Sequence, residues 1–108
     1  MSHLDGLCSL RLTRRYRASS AEVWRALTDP TSVARWLGDV DVRFRLVETG
    51  RVLEIELHDS VARIELSSEG DQTVVVLEHD RLLADIGMRY VRLWTSALDR
   101  FDGQVMAT

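Results

Sequence analysis

Two titratable residues fall on faces of the chain that otherwise carry apolar side chains. Arg14 lies between Leu12 and Tyr16 in the inward phase of an alternating segment, and His79 shares the phase of Leu77. A buried guanidinium is costly unless a carboxylate, a carbonyl or an anionic ligand group pairs with it, and a nearby histidine could serve as a general base. We therefore expect Arg14 and His79 at the mouth of a pocket, where they would hold the polar head of a ligand. The alternatives are that a bulge turns Arg14 to solvent and that His79 lies past the end of its strand.

Other chemistries have little support in the sequence. His3, His58 and His79 are far apart in the sequence and lack the spacings of metal-binding histidines. The chain also has no pair of cysteines that could supply further metal ligands. Glu54, Glu56 and His58 share one strand face, but a solvated ladder of ion pairs accounts for them. The chain has no Gly-x-Ser-x-Gly elbow and no glycine-rich phosphate loop. We predict no catalytic residue, no metal and no cofactor, and the sequence favours a protein that is not an enzyme.

Composition narrows the partners and the compartment. The 108 residues carry a net charge of −3, and all 14 basic residues are arginine. This balance disfavours a nucleic-acid partner. No apolar run is long enough to cross a membrane, and charges interrupt the N-terminal segment too early for a secretory signal. Cys8 stands alone, which excludes an internal disulfide and favours a cytoplasmic location.

Two short helices follow one another near the start of the chain. Ser19 and Glu22 have the spacing of a capping box, which begins the first helix. Asp29 as N-cap and Pro30 at the first helical position begin the second helix, and Gly38 ends it. The apolar stripes of these helices consist of Val23, Trp24 and Leu27 in the first and of Val33, Trp36 and Leu37 in the second.

Strands are predicted on both sides of the helix pair. Residues 9–18 alternate in polarity, which predicts a half-buried strand after a flexible arm at residues 1–8. Further along, Thr49 and Gly50 predict a tight turn that places opposite charges on one face of a hairpin and apolar residues on the other. The charged pairs are Arg45–Glu54, Arg43–Glu56 and Asp41–His58, and the apolar pairs are Leu46–Leu53, Phe44–Ile55 and Val42–Leu57. A slip of one residue would destroy both sets of pairs.

A second tight turn at Asp59 and Ser60 leads into another strand. The pairs that it predicts are Leu53–Leu66, Glu54–Glu65, Ile55–Ile64, Glu56–Arg63 and Leu57–Ala62. Together with Arg43, the pair Glu56–Arg63 would form a lateral row of charges across three strands. The like-charged pair Glu54–Glu65 is the one poor match in this register.

The chain ends in a strand and a long helix. Residues 73–79 form the last strand, and Asp80 caps the helix that follows. Gly87 costs about 1 kcal/mol inside a helix relative to alanine, so the helix is expected to bend there or to begin only there, and Gly103 is expected to end it. The apolar stripe of this helix consists of Leu83, Ile86, Tyr90, Val91, Trp94, Leu98 and Phe101.

Together these elements predict one α+β domain over residues 9–108. A curved antiparallel sheet of about five strands wraps its apolar face around the long C-terminal helix. The two short helices after the first strand close one end of the sheet. This arrangement is the helix-grip layout.

The segment from Ala18 to Gly38 resembles the start of the helix-grip domains of the START/SRPBCC (Bet v 1-like) superfamily. It is similar to the pattern Ala-Pro-x-x-x-Val-Trp-x-x-Leu-Thr-Asp-Pro…Trp-Leu-Gly of the activator of Hsp90 ATPase homologue (AHSA1-like) family, with Ser19 where proline is usual. The segment from Trp94 to Phe101 resembles the C-terminal Trp-x-x-x-Leu-x-x-Leu helix of that family. The middle strands lack the Gly-Gly and proline-bearing segments of the family, and the chain is shorter by about one hairpin.

The resemblance implies a cavity between the sheet and the long helix that binds small, mostly apolar molecules. It places no catalyst in this chain, because the family has no universal catalytic residue. The residues expected to line the cavity are Arg14, Tyr16, Trp36, Phe44, His79, Tyr90 and Trp94. The shorter sheet implies a smaller cavity. The alternatives are that a second copy of the chain completes the sheet, or that the pocket is vestigial.

Three functions follow as expectations. The first is a domain that binds a small hydrophobic molecule without catalysis and could act as a homodimer. The second is a protein-interaction module, with a chaperone as a candidate partner, that uses the exposed face of the sheet. The valines on that face are Val47, Val52, Val61, Val74 and Val76. The third is a small cyclase or hydrolase with His79 as general base and Arg14 as the anion-binding residue.

Overall fold

The computed structural model describes residues 7–38, 42–57 and 60–106. The helices and strands are β1 (Leu7–Tyr16), α1 (Ser20–Thr28), α2 (Pro30–Trp36), β2 (Arg43–Glu48), β3 (Val52–Glu56), β4 (Val61–Glu69), β5 (Gln72–Leu83) and α3 (Ala84–Met106). This order confirms the predicted α+β arrangement. Within the described ranges no helix has the length and apolarity needed to cross a membrane.

The five strands form one antiparallel sheet in the order β1-β5-β4-β3-β2. Helix α3 packs on β1 and β5, α1 packs on β4 and β5, and α2 packs on α3. Ile55, Ile64, Leu77, Trp94 and Phe101 are fully buried in one cluster between the sheet and the helices. The helix-grip layout is therefore confirmed, with the core on the concave face of the sheet.

Strand β1 has the two faces that its alternation predicts. Leu10 and Tyr16 are buried, whereas Arg11 and Arg15 are exposed. The strand begins at Leu7, two residues earlier than expected, and the rest of the predicted arm lies outside the described residues. The domain boundary at residue 9 stays a prediction.

The caps of the two short helices are confirmed. Ser19 Oγ accepts a hydrogen bond from the backbone N–H of Glu22 at 3.2 Å, and Glu22 Oε1 accepts from the Ser19 N–H at 3.3 Å. Asp29 Oδ2 accepts from the Ser32 N–H at 3.1 Å. Gly38, just after α2, has a φ of +84°, a conformation that only glycine adopts without strain. Local contacts thus fix where each of the two short helices begins and ends.

The register of the β2–β3 hairpin is also confirmed. The facing pairs are Arg43–Glu56, Phe44–Ile55, Arg45–Glu54 and Leu46–Leu53. The turn closes where the Arg51 N–H donates to the Glu48 carbonyl at 3.0 Å, and Gly50 inside it has a φ of +87°. A bulge at Val47 separates Leu46 from Glu48 in the register. The expected pair Asp41–His58 lies outside the described residues.

The register between β3 and β4 differs from the prediction by two residues. Arg63 lies opposite Glu54, and the Leu57 N–H donates to the Ser60 carbonyl at 2.8 Å, so Ser60 closes the turn instead of lying at its centre. A shift of two residues keeps every side chain on its predicted face. It also replaces the like-charged pair Glu54–Glu65 by an opposite-charged one, which gives a physical reason for the observed register.

This register builds one row of alternating charge across the convex face. In strand order from one edge to the other, its members are Arg45, Glu54, Arg63, Glu78 and Arg11. The nitrogen–oxygen distances are 3.9 Å for both Arg45–Glu54 and Arg11–Glu78. Exposed pairs of this kind contribute about 0.2–1 kcal/mol each. The row therefore helps to select the register and adds little to stability, and it replaces the predicted row through Glu56.

The bounds of β5 and α3 correct the expected helix cap at Asp80, the expected helix start at Gly87 and the expected helix end at Gly103. Strand β5 continues to Leu83, so Asp80 does not cap the helix. Gly87 lies inside α3, where a Cβ would come within 2.7 Å of Cys8 Sγ, so its small size lets α3 approach β1. Gly103 does not end the helix, which continues to Met106.

A bulge explains why β5 extends beyond its predicted end at residue 79. Leu10 faces His79 while Cys8 faces Leu82, so β5 has one more residue than β1 over this stretch. Arg81 in the bulge has a φ of +60°, a left-handed conformation that is strained for a residue with a Cβ. The extra residue brings Leu82 back to the core, where it is 2% exposed.

Candidate functional site

The candidate site is the concave face of the sheet together with the inner side of α3. The strand registers align the concave side chains in rows that cross the sheet. One row consists of Leu10, His79, Ala62, Ile55 and Phe44, and the next consists of Leu12, Leu77, Ile64, Leu53 and Leu46. His79 is the one polar member of these two rows.

His79 lies within β5 and is fully buried, so it is not past the end of the strand. Its Nδ1 accepts a hydrogen bond from Trp94 Nε1 at 3.0 Å. Because an indole N–H can only donate, the imidazole proton lies on Nε2, which is 2.7 Å from Ser60 Oγ. The Tyr90 ring packs on the imidazole with a centroid distance of 4.4 Å. This His79 cluster, formed with Ser60, Tyr90 and Trp94, fixes the tautomer and the orientation of the ring.

Arg14 points inward, as its phase predicts, and its partners are carboxylates of α3. Its Nη1 lies 2.7 Å from Asp102 Oδ2 and 3.2 Å from Asp99 Oδ1. The Tyr16 hydroxyl donates to the other oxygen of Asp102 at 2.5 Å. We call this set of four residues the α3 clamp, because it fastens the end of β1 to the C-terminal half of α3. The sequence indicated that Arg14 needs a partner but did not identify Asp102.

The charged and polar groups of the α3 clamp pair with one another. Burial, and then the hydrogen bond to Asp102, raise the pKa of Tyr16 well above its ordinary value. Desolvation lowers the pKa of Arg14, but the hydrogen bond to Asp99 and the charge of Asp102 outweigh it, so the net shift is upward. Arg14 is therefore charged and Tyr16 neutral across the physiological range, and the charge of Arg14 is balanced inside the chain.

The structure does not bring Arg14 and His79 together. Arg14 lies opposite Val75 on β5, and His79 is four residues further along that strand. Four residues of a strand span about 13 Å. The two residues therefore mark opposite ends of the concave face and do not share one pocket mouth.

The expected aromatic lining divides into separate groups. Tyr16 and Trp36 pack edge-on against Phe101 with centroid distances of 5.4 and 5.5 Å. Trp36 is fully buried, and its Nε1 has no hydrogen-bond partner among the described residues. The expected site residues thus fall into a closed end with Arg14, Tyr16 and Trp36, a middle group with His79, Tyr90 and Trp94, and Phe44 alone on β2.

The side of the concave face along β2 is open. Strand β2 packs on β3, and the helix contacts recorded among the described residues are with β1, β4 and β5. Phe44 is half-buried and Leu46 is 53% exposed, although their neighbours Ile55 and Leu53 in the same rows are fully buried. We call Phe44, Leu46 and the backbone edge of β2 the open side. It is the part of the concave face at which an apolar group from outside could add to the core.

The convex face exposes fewer valines than the sequence predicts. Val52 and Val74 are 1% and 6% exposed, whereas Val47 and Val61 are 49% and 45% exposed. Arginine and glutamate side chains fill the rows between them, and their long apolar stems can cover neighbouring residues. The exposed apolar surface is therefore concentrated towards β2 and the start of β4.

A groove of about 440 Å³ lies outside the core, between the two short helices and the end of α3. Its lining includes Arg25, Arg35, Gln104 and Val105. Gln104 Nε2 donates to Ser32 Oγ across it. No group of three or more metal-ligating side chains occurs anywhere in the described part of the chain. The sequence did not predict this groove, because it forms only where α3 meets the helix pair.

Comparisons with known proteins find similar folds. No family model matches the sequence, and no curated protein matches it. The chain superposes on CalU16 from Micromonospora echinospora with a TM-score of 0.76 and 27% identity, over 90% of this chain and 65% of CalU16. It superposes on the Aha1 dimer from Colwellia psychrerythraea with a TM-score of 0.77 and 12% identity, over 91% of this chain and 96% of that chain. A conserved protein of unknown function from Enterococcus faecalis gives a TM-score of 0.79 at 14% identity, over 92% and 71% of the two chains.

These likenesses define the class of fold. The curved five-stranded sheet, the two short helices and the long C-terminal helix form the helix-grip fold of SRPBCC type. The chain spans about two thirds of the length of CalU16.

Proposed function

We propose that this chain is an AHSA1-like domain that binds a small, mostly apolar molecule on its concave face. The observation that carries the proposal is the open side, where two apolar rows run from a fully buried core to Phe44 and to Leu46, which is 53% exposed. A ligand against these side chains would remove apolar surface from water, at about 25 cal/mol for each Å² buried. The cytoplasmic location expected from the single cysteine belongs to the same proposal.

The chemistry of the site favours binding without catalysis. Both ring nitrogens of His79 are engaged, one by Trp94 and the other by Ser60, so neither is presented to a substrate. Arg14 is paired with Asp99 and Asp102. These contacts support neither a general base nor an anion-binding group, and a cyclase or hydrolase is the less supported function.

A second candidate function is association with another protein. Two observations favour it: Leu46 and Val47 are 53% and 49% exposed on an edge strand, and one structural neighbour is described as an Aha1 dimer. A second copy of this chain is the partner with the most support. A chaperone partner rests only on the resemblance of residues 18–38.

Binding can be tested with an apolar fluorescent dye such as 1-anilinonaphthalene-8-sulfonate. We expect the dye to bind the native protein, and Phe44→Ser to weaken the binding about tenfold, which corresponds to the loss of about 1.4 kcal/mol. Met88→Ser is the matched control, because Met88 is 60% exposed on α3 and lies away from the open side. Equal dye binding by the native protein and both variants, or none by any of them, would contradict the proposal. Native mass spectrometry of the purified protein would detect a retained ligand directly.

A further inference from the structure

We propose that two copies of this chain join edge to edge through β2, with the two-fold axis at Arg45, and that this contact closes the open side. One part of this proposal rests on the proposed function: the face that the second copy completes is the ligand-binding face. The two sheets would become one continuous sheet of ten strands.

The first support is the contrast between the two edges of the sheet. In the sheet that the described residues form, β1 and β2 are the two edge strands, and the backbone of an edge strand can pair with another strand. Strand β1 is covered by α3, and its exposed side chains include the charged Arg11 and Arg15. Strand β2 exposes Leu46 and Val47, and no close packing of a helix on it is recorded within the described ranges. Apolar exposure and a free edge therefore coincide at β2.

The second support is that β2 complements itself. Arg43 and Arg45 lie on the convex face, Phe44 and Leu46 lie on the concave face, and the bulge at Val47 returns Glu48 to the convex face opposite Val52. If two copies of β2 run antiparallel with Arg45 on the axis, and Val47 stays unpaired in its bulge as it does against β3, Arg43 lies opposite Glu48 of the second copy. Phe44 then lies opposite Leu46 of the second copy. Opposite charges meet on one face and apolar side chains on the other, and the two-fold axis repeats each pair.

The axis itself is the weak point of this register. The two copies of Arg45 would face each other, and like charges directly opposite are unfavourable in a sheet. Each Arg45 has Glu54 beside it at 3.9 Å, which offsets part of the repulsion. We therefore expect a moderate affinity, and we expect Arg45→Gln to tighten the association severalfold.

The contact would also complete the site. Ile55 and Leu53 continue outwards into Phe44 and Leu46, where the rows now end at solvent. In the dimer each row would continue into the second copy, so that Leu46 of one chain and Phe44 of the other become buried together. The second copy thus contributes apolar residues to the face that binds the ligand.

A disulfide scan tests the axis directly. In a Cys8→Ala background, which leaves no other cysteine, Arg45→Cys places the two thiols opposite each other across the axis. Facing residues of antiparallel strands have Cα atoms about 4.5–5.5 Å apart, which a disulfide can bridge. We expect Arg45→Cys to form a covalent dimer under mild oxidation. Arg11→Cys, on the other edge of the sheet, should remain monomeric, and faster cross-linking of Arg11→Cys than of Arg45→Cys would overturn the proposal.

Sedimentation of charge variants tests the register. Arg43→Glu would set two acidic residues against each other and should weaken the dimer at least about tenfold, and adding Glu48→Arg should restore it. Arg15→Glu makes the same change of charge on β1, where Arg15 pairs with Glu69, and should leave the dimer unchanged. Native protein that is monomeric up to about 1 mM, the weak end of measurable association, would overturn the proposal. So would Arg43→Glu and Leu46→Lys variants that dimerise like the native protein.

The two proposals fail separately. Cross-linking of Arg45→Cys is measured without any ligand, and dye binding is then measured on the covalent dimer and on the monomeric Arg43→Glu variant, whose substitution lies on the convex face. If Arg45→Cys cross-links at the axis and neither the covalent dimer nor the monomeric variant binds the dye, the edge contact is supported and ligand binding is contradicted. Dye binding by a chain that does not cross-link at the axis contradicts the edge contact alone.

Discussion

The two halves of the concave face are held in different ways. Over β1 and β5 the sheet is covered by α3, which the α3 clamp fastens at 2.7 Å between Arg14 and Asp102 and which buries Phe101 completely. Over β2 the sheet has no helix, and Leu46 is 53% exposed. The clamped half is a finished core. The open half is apolar in the same way, but its outermost side chain, Leu46, is exposed to solvent.

Simple geometry explains why one sheet has both. An α-helix with its side chains is about 10–12 Å wide, and neighbouring strands lie about 4.8 Å apart. One helix therefore covers about two strands, and α3 covers β1 and β5. Helix α1 covers part of β4 and of β5. Strand β2 lies at the far edge of the sheet, and none of the close helix–strand contacts of the described residues involves it.

The largest expected effect tests whether the two halves differ in stability. Phe101→Ala should lower the free energy of unfolding by about 3–5 kcal/mol, because it leaves a cavity in a fully buried cluster. Phe44→Ala should cost less than about 1.5 kcal/mol, because Phe44 is only half-buried and water can enter the space that it leaves. Urea denaturation at low protein concentration measures both without a contribution from dimer formation. Equal losses from the two variants would show that the open half is as well packed as the clamped half.

The second prediction concerns the α3 clamp. Tyr16→Phe should cost about 1.5–3 kcal/mol at neutral pH, because the Tyr16 hydroxyl bonds a carboxylate. The pKa of Tyr16 is raised in the folded state, so as the pH rises the unfolded chain releases this proton first. The contribution is therefore complete below the unfolded pKa of about 10 and is lost at higher pH. As the pH rises above that value, the free energy of unfolding should fall less for Tyr16→Phe than for the native protein.

Tyr90→Phe provides the control for the pH series, since it removes the other tyrosine hydroxyl and leaves the clamp intact. Denaturation curves recorded between neutral pH and strongly alkaline pH give the slope for each variant. If native protein and Tyr16→Phe lose stability in parallel, the clamp does not govern the alkaline limit of the fold.

Local complementarity explains what could be predicted from the sequence. The β2–β3 register depends on side chains on both faces, so a shift of one residue would have been visible. The β3–β4 register could not be fixed in the same way, because a shift of two residues leaves each face unchanged. Only the pairing of Glu54 distinguished the two registers. The poor pair Glu54–Glu65 was the signal, and the structure replaces it with Glu54–Arg63.

Long-range contacts explain what could not be predicted. The inward phase of Arg14 indicated a need for a carboxylate, a carbonyl or an anionic ligand, but its partner Asp102 lies 88 residues away in the sequence. Asp80 precedes an apolar helical stripe, and this pattern indicated the cap of the C-terminal helix. In the structure a bulge at Arg81 allows β5 to continue past Asp80. Both outcomes depend on where α3 crosses β1, and no short segment of sequence specifies that crossing. The arrangement of the candidate ligand site could not be predicted for the same reason, because the register of β1 on β5 separates His79 from Arg14.

The smallest expected effect measures how closely α3 approaches the sheet in the clamped half. Alanine is favoured over glycine in a helix by about 1 kcal/mol, so Gly103→Ala, with nothing within 4 Å of the new Cβ, should stabilise the protein by about that amount. Gly87→Ala should gain nothing in the native background, because its Cβ would lie 2.7 Å from Cys8 Sγ. In a Cys8→Ala background Gly87→Ala should recover the same gain of about 1 kcal/mol, so the double-mutant cycle reports the contact alone. If Gly87→Ala stabilises the native background as much as Gly103→Ala does, α3 stands off β1 at this point. The clamped half would then be looser than its buried aromatic residues indicate.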